Sequence, residues 1–180
     1  MRTTYLKKIK TLILLIFFVC LSFSCCHRKE TVDGTDTISY EAEIIKVIDG
    51  DTIEVQFCKE KPNNCNTVER IRLIGVNTPE LNLYKDAAPE YYALEAYYYT
   101  KKYTGEKVYI EMDSISQIRD KYSRLLAYVW LCNYTMLNIN IIEDGYGYFY
   151  DYFEFNPEYM KSFCEAEKKA EAEKKGLWND

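Results

Sequence analysis

The chain has 180 residues, is 48% hydrophobic and 28% charged, and carries a formal net charge of −5. That length is one domain with room for a tail, and a composition with only 7 Gly and 4 Pro excludes disordered and collagen-like chains. The single His, His27, excludes a site built on two or more imidazoles, and the negative charge excludes the broad basic footprint of an unselective nucleic-acid binder.

Residues 1–24 read as a signal peptide. Arg2, Lys7, Lys8 and Lys10 precede the apolar run Thr11–Phe23, which ends among small residues. Leu21-Ser22-Phe23-Ser24-Cys25 resembles a bacterial lipobox with Cys25 as the lipid-bearing residue. An ordinary secretory signal and a retained membrane anchor are the alternatives, although the run is short for a spanning helix. Cleavage before Cys25 removes four of the 23 Lys/Arg and none of the 28 Asp/Glu, leaving a mature charge of −9. Residues 25–39, polar and without apolar periodicity, read as a tether, and residues 40–180 as the folded domain.

Export favours disulfides. Cys58 and Cys65 flank a loop containing Pro62 and two Asn, so a Cys58–Cys65 bridge is expected. Cys132 and Cys164 are either paired or buried thiols.

Glu41–Ile48 and Thr52–Phe57 alternate β-branched and polar residues around the turn Asp49-Gly50-Asp51, and Val68–Ile74 is a third strand of the same antiparallel meander. A helix is expected to start near Pro89, with Ala93, Ala96, Tyr97 and Thr100 on one face and Gly105 beyond its end. Lys107–Met112 and Leu125–Leu131 are two more strands, and Met136–Asp144 is a short helix closed by Gly145. Asn156-Pro157 is an N-cap and first helical residue; Tyr159, Phe163, Ala166 and Ala170 then share a stripe, and Gly176 is expected to end the helix. The order β-β-β-α-β-β-α-α suits an α+β fold, a five-stranded OB-type barrel with three helices.

Three segments carry charge where strands would otherwise be apolar: Val47–Thr52 with Asp49 and Asp51, Arg70–Glu80, and Arg119–Tyr128. With the closing Gly176-Leu177-Trp178, they resemble the staphylococcal nuclease family over nearly the whole domain, from about Glu41 to Trp178. The resemblance implies calcium-dependent hydrolysis of phosphodiesters in DNA or RNA. It implies Arg72, Glu80 and Arg124 as the catalytic residues, Asp51, Asn77 and the Thr78 carbonyl as metal ligands, and Asp49 just outside them. Lys121 and Tyr122 would hold a terminal phosphate. Tyr150, Tyr152 or Phe153, in a run with seven aromatics between Tyr146 and Phe155, would stack on a base.

The chemistry is coherent on its own terms. Planar guanidiniums match phosphate oxygens, a hard cation takes oxygen ligands, and a carboxylate beside it can receive a proton from water. One position departs from the family: Asn77 stands where a carboxylate is usual, which removes a ligand charge and weakens cation affinity. The reading is therefore an extracytoplasmic, lipid-anchored, monomeric nuclease. The alternative is a catalytically silent OB-fold module that binds nucleic acid or a protein partner.

Overall fold

Alternation of apolar and polar side chains produces the first sheet. In the computed structural model, which describes residues 39–57, 67–82 and 86–179, strand β1 (Ser39–Asp49) buries Ala42, Ile44 and Val47, and β2 (Thr52–Phe57) buries Ile53 and Val55. The Asp-Gly turn joins them antiparallel, and β3 (Val68–Leu73) pairs antiparallel with β2, with Thr52 opposite Arg72. Five strands close a barrel in the order β1-β2-β3-β6-β5, where β5 is Lys107–Met112 and β6 is Leu125–Leu131. All pairings are antiparallel except β3 with β6, which is parallel. The expected five-stranded α+β barrel with three helices is the observed one.

Two very short strands, β4 (Val76–Asn77) and β7 (Tyr148–Phe149), were not expected; they pair antiparallel beside the barrel. The corner between β3 and β4 turns at Gly75, with φ +72°, and a Cβ there would run into the Phe163 ring. Gly is therefore required both by the backbone and by the close approach of the last helix.

Helix α1 (Ala93–Lys101) starts four residues after Pro89, later than the sequence suggests. The Glu90 N–H donates to Glu80 O at 3.0 Å and Tyr92 sits at φ 67°, so the chain is held in a turn before the helix begins. Its buried Ala93, Ala96 and Thr100 face the barrel, and the Thr100 hydroxyl donates to Gly50 O at 2.6 Å. The second helix, α2 (Leu137–Glu143), ends as expected at Gly145, which takes φ +76°. Within α2 the buried Asn138 donates to Ile74 O (2.9 Å) and Ala127 O (3.3 Å) and accepts from Val129 N (2.9 Å). One amide thereby bonds three backbone groups in the core, of which Ala127 O also accepts from Ile74 N at 3.1 Å.

Helix α3 (Pro157–Ala172) is capped by Asn156, which accepts from Glu158 N at 2.9 Å. It buries Phe163, Ala166 and Ala170, as the stripe implies, but it ends before Gly176. Lys174 adopts φ 51° and breaks the helix, while Gly176 packs on Gly145 instead. Cys164 carries a free, half-buried thiol on α3, which rules out its pairing with Cys132. The signal, the tether, Cys25 and the Cys58–Cys65 bridge lie outside the described residues.

Candidate active site

Asp51 is the last residue of the β1–β2 turn and is only 4% exposed. A buried carboxylate needs partners, and three converge on it. Arg72 Nη2 lies 3.1 Å from Oδ2, Thr78 N donates to Oδ2 at 3.0 Å, and the Thr52 hydroxyl donates to Oδ1 at 2.9 Å. A carboxylate offers about four lone-pair sites, so capacity for one more cationic partner remains.

Arg72 is pinned at its other end as well. Nη1 donates to Leu73 O (2.9 Å) and Val76 O (2.6 Å), and Nη2 to Asn77 Oδ1 at 3.3 Å. The guanidinium thus spans the corner between β3 and β4. Asp51 and Asn77 meet at the same nitrogen, which places these two expected ligands together with Thr78. Arg70, two residues earlier on β3, is diverted to Glu54 at 2.9 Å and takes no part.

Arg124 is held from the adjacent strand. Asp120 accepts from its Nε at 2.7 Å, and Nη1 donates to the Thr52 hydroxyl at 3.2 Å. Burial pushes the Asp120 carboxyl up, but the Arg124 side chain and the Arg124 and Tyr122 backbone donors together hold it below the usual range. Arg124 and Lys121 both lie near the exposed Tyr122 ring, at 5.3 and 5.0 Å from its centre.

Asp49 accepts from Gly50 N at 2.8 Å and from Leu81 N at 3.4 Å. Burial, followed in smaller measure by the charges of Asp51 and Glu80, pushes its carboxyl up to about 6 against the lowering effect of those two donors. Glu80 itself is exposed, but its backbone is locked. Its N–H donates to Glu90 Oε2 at 2.9 Å, and its carbonyl accepts from Glu90 N at 3.0 Å.

The aromatic run separates into inner and outer members. Tyr146 stacks on Tyr99 with ring centres 4.2 Å apart. Tyr150, Tyr152 and Phe153 form an exposed cluster, with Tyr152 and Phe153 at 4.9 Å. The cluster is tied to the site through Tyr150 N, which donates to Gly75 O at 3.0 Å.

Thr52 is the residue that sequence reasoning missed. It lies inside the Val47–Thr52 segment, but its role depends on Arg124, 72 positions away.

A divalent cation fits this donor set. All the nearby ligands are oxygens, as a hard cation requires. The charges of Asp51 and Glu80 both act against ionisation of Asp49, and Arg72 is paired to Asp51. The Thr78 hydroxyl is buried without a hydrogen-bond partner, against the same turn. Among the described residues no three His, Cys, Asp or Glu side chains converge, so such an ion would draw on carbonyl and water oxygens too.

The staphylococcal nuclease homologue family model matches residues 70–180. Thermonuclease of Staphylococcus intermedius is 34% identical over 178 residues, covering 96% of this chain and 99% of that protein. Thermonuclease of Staphylococcus hyicus is also 34% identical, over 77% of this chain and 75% of its own length. The SPbeta prophage-derived endonuclease YokF of Bacillus subtilis is 29% identical over 84% of this chain and 45% of its own. With the closed five-stranded barrel and the residues gathered at its mouth, these matches show that the chain belongs to the staphylococcal nuclease family.

Proposed function

We propose that this protein is a calcium-dependent nuclease that hydrolyses phosphodiesters of DNA or RNA outside the cytoplasm. The observation that carries the reading is the continuous chain Arg72–Asp51–Thr52–Arg124. It holds two guanidiniums in fixed positions around one carboxylate.

Asp51, Thr78 and Asn77 would hold the cation, with Asp49 behind them; when bound, it adds positive charge beside the scissile phosphate. Arg72 and Arg124 bind non-bridging phosphate oxygens and oppose the charge that grows in the five-coordinate transition state. Glu80, exposed on a locked backbone, accepts a proton from the attacking water as the new P–O bond forms. The leaving oxygen departs with the bonding pair and takes a proton from solvent. Lys121 and Tyr122 hold a neighbouring phosphate, and Tyr150, Tyr152 and Phe153 offer stacking faces to bases. Both polymers present the same phosphodiester, so this geometry does not favour one sugar.

The test is digestion of denatured DNA by the purified protein with calcium and with chelator. Cleavage with calcium alone is expected, falling about 10²-fold or more in Arg124→Ala and Glu80→Gln. Cleavage unchanged in both variants would reject the assignment of the site. Asn77 favours a second reading, a silent nucleic-acid-binding module, because it removes a charge from the expected ligand set. Binding of DNA without cleavage at any calcium level would select it.

The N-terminal basic and apolar segments support export and a lipid on Cys25, which would keep the domain near a membrane. Cys25→Ser should abolish detergent partitioning of the mature protein; unchanged partitioning would reject the anchor.

A further inference from the structure

We propose that Thr52 is a positioning residue that fixes Arg124 against the Asp51 carboxylate and so sets the distance between the cation side and the phosphate side of the site. The inference rests on reading Arg124 as a phosphate ligand.

Thr52 is only 4% exposed, and its hydroxyl makes two different bonds. As donor it reaches Asp51 Oδ1 at 2.9 Å, which fixes its proton and turns a lone pair outward. As acceptor it takes Arg124 Nη1 at 3.2 Å. Polarised by an acidic neighbour, the hydroxyl is a stronger acceptor than an isolated one. The same carboxylate holds Arg72 through its other oxygen at 3.1 Å. Two guanidiniums that repel each other are therefore spaced by a carboxylate and one hydroxyl, with no flexible side chain between them.

The strand register makes this arrangement rigid. Thr52 lies opposite Arg72 in the β2–β3 pairing, and Arg72 lies opposite Leu126 in the parallel β3–β6 pairing. Asp120 holds the Arg124 backbone N–H and, of the guanidinium, only Nε. Without the Thr52 contact the guanidinium keeps that hinge, but its Nη end is no longer anchored to the barrel. A displacement on the scale of an ångström at a phosphate ligand lowers turnover by about 10²-fold.

The experiment compares Thr52→Val, Thr52→Ala and Thr52→Ser in the wild-type and Arg124→Ala backgrounds. Nitrogen-15 NMR of the Arg124 side chain, recorded on substrate-free protein, reports rotation of the guanidinium about its Nε–Cζ bond. Faster rotation is expected in Thr52→Val and Thr52→Ala, and the wild-type rate in Thr52→Ser. Turnover of denatured DNA should fall about 10–100-fold in the Val and Ala variants, with KM changing less than kcat. The Ser variant should keep wild-type turnover. In the Arg124→Ala background, removing the hydroxyl should cost little more.

Unchanged rotation in both hydroxyl-less variants would overturn the proposal. So would an undiminished kinetic cost in the Arg124→Ala background, because Thr52 would then be acting through something other than Arg124. Should Thr52→Val fail to fold, Thr52→Ala removes the same hydroxyl without added bulk. A wild type that cleaves nothing would reject the nuclease reading, and the NMR comparison alone would then decide the role of Thr52.

Discussion

Gly50 lies against Thr78 so closely that a Cβ on Gly50 would stand 2.6 Å from the Thr78 hydroxyl oxygen. The contact presses the turn carrying Asp49 and Asp51 onto the segment carrying Asn77 and Thr78. Thr100, donating to Gly50 O, holds the turn from the opposite side. The turn therefore has little room to retreat. Gly50→Ala should destabilise the protein by about 1–3 kcal/mol, the usual cost of overpacking, and should weaken cation binding as Asp51 and Thr78 separate. Urea unfolding and a calcium titration of the same variant measure both effects, and unchanged midpoints would contradict the contact.

Asp49 gives a prediction in pH. Its folded carboxyl holds its proton up to about 6, whereas the ordinary value is 3.8. Between these values the folded state binds more protons than the unfolded one, so stability falls as pH rises through this window. Asp49→Asn should therefore stabilise the cation-free protein above pH 6 and make little difference near pH 4. The gain is on the order of 1 kcal/mol after allowance for solvent screening of this half-buried site. With saturating calcium the gain should vanish, because the ionised carboxylate then faces a cation. Unfolding curves at both pH values, with and without calcium, make the comparison.

Asn77→Asp places a carboxylate beside Arg72 Nη2, where the amide oxygen now stands at 3.3 Å. Calcium affinity should rise, because ligand charge governs it, and calorimetric titration would show a lower Kd. The guanidinium shared with Asp51 neutralises part of the added charge, so the gain should grow when Arg72 is replaced by Gln. A gain of equal size in both backgrounds would mean that Arg72 does not share that charge.

Ser123 adopts φ 63° immediately before Arg124. A left-handed conformation costs a residue with a Cβ about 1–2 kcal/mol, part of which glycine returns through its greater unfolded-state freedom. Ser123→Gly should stabilise the fold by roughly 0.5–1 kcal/mol and leave the Asp120–Arg124 bond intact. Thermal unfolding checks the first expectation, and unchanged turnover the second.

The barrel strands and three helices were legible because burial alternates along strands and every third or fourth residue along helices. Ile53 and Val55 on β2, and Phe163, Ala166 and Ala170 on α3, follow those periods. Strands β4 and β7 were not legible: each has two residues, too few for any period, and each exists only because the other is beside it. The start of α1 was misplaced because Pro89 is a local signal, whereas the Glu80–Glu90 backbone contact that delays the helix is not. Motif positions singled out Asp51, Arg72 and Thr78, and the structure places these three in one corner. The motifs could not show that Arg70 is claimed by Glu54, which depends on the β2–β3 register, or that Thr52 reaches Arg124 across β3, which depends on β6 pairing with β3.

The parallel pairing of β3 with β6 also governs when the site comes into existence. Arg72 and Asp51 are made early on the ribosome, but their arrangement with Arg124 requires β6, and closing the barrel requires β5 to reach β1. These pairings join segments dozens of residues apart, and such contacts form late because a long loop must first be closed. A chain whose synthesis has not reached β6 already carries Asp51, Arg72 and Glu80 but no assembled centre. Its topology thus acts as a time delay, keeping the chemistry latent until synthesis has passed β6 and the barrel can close.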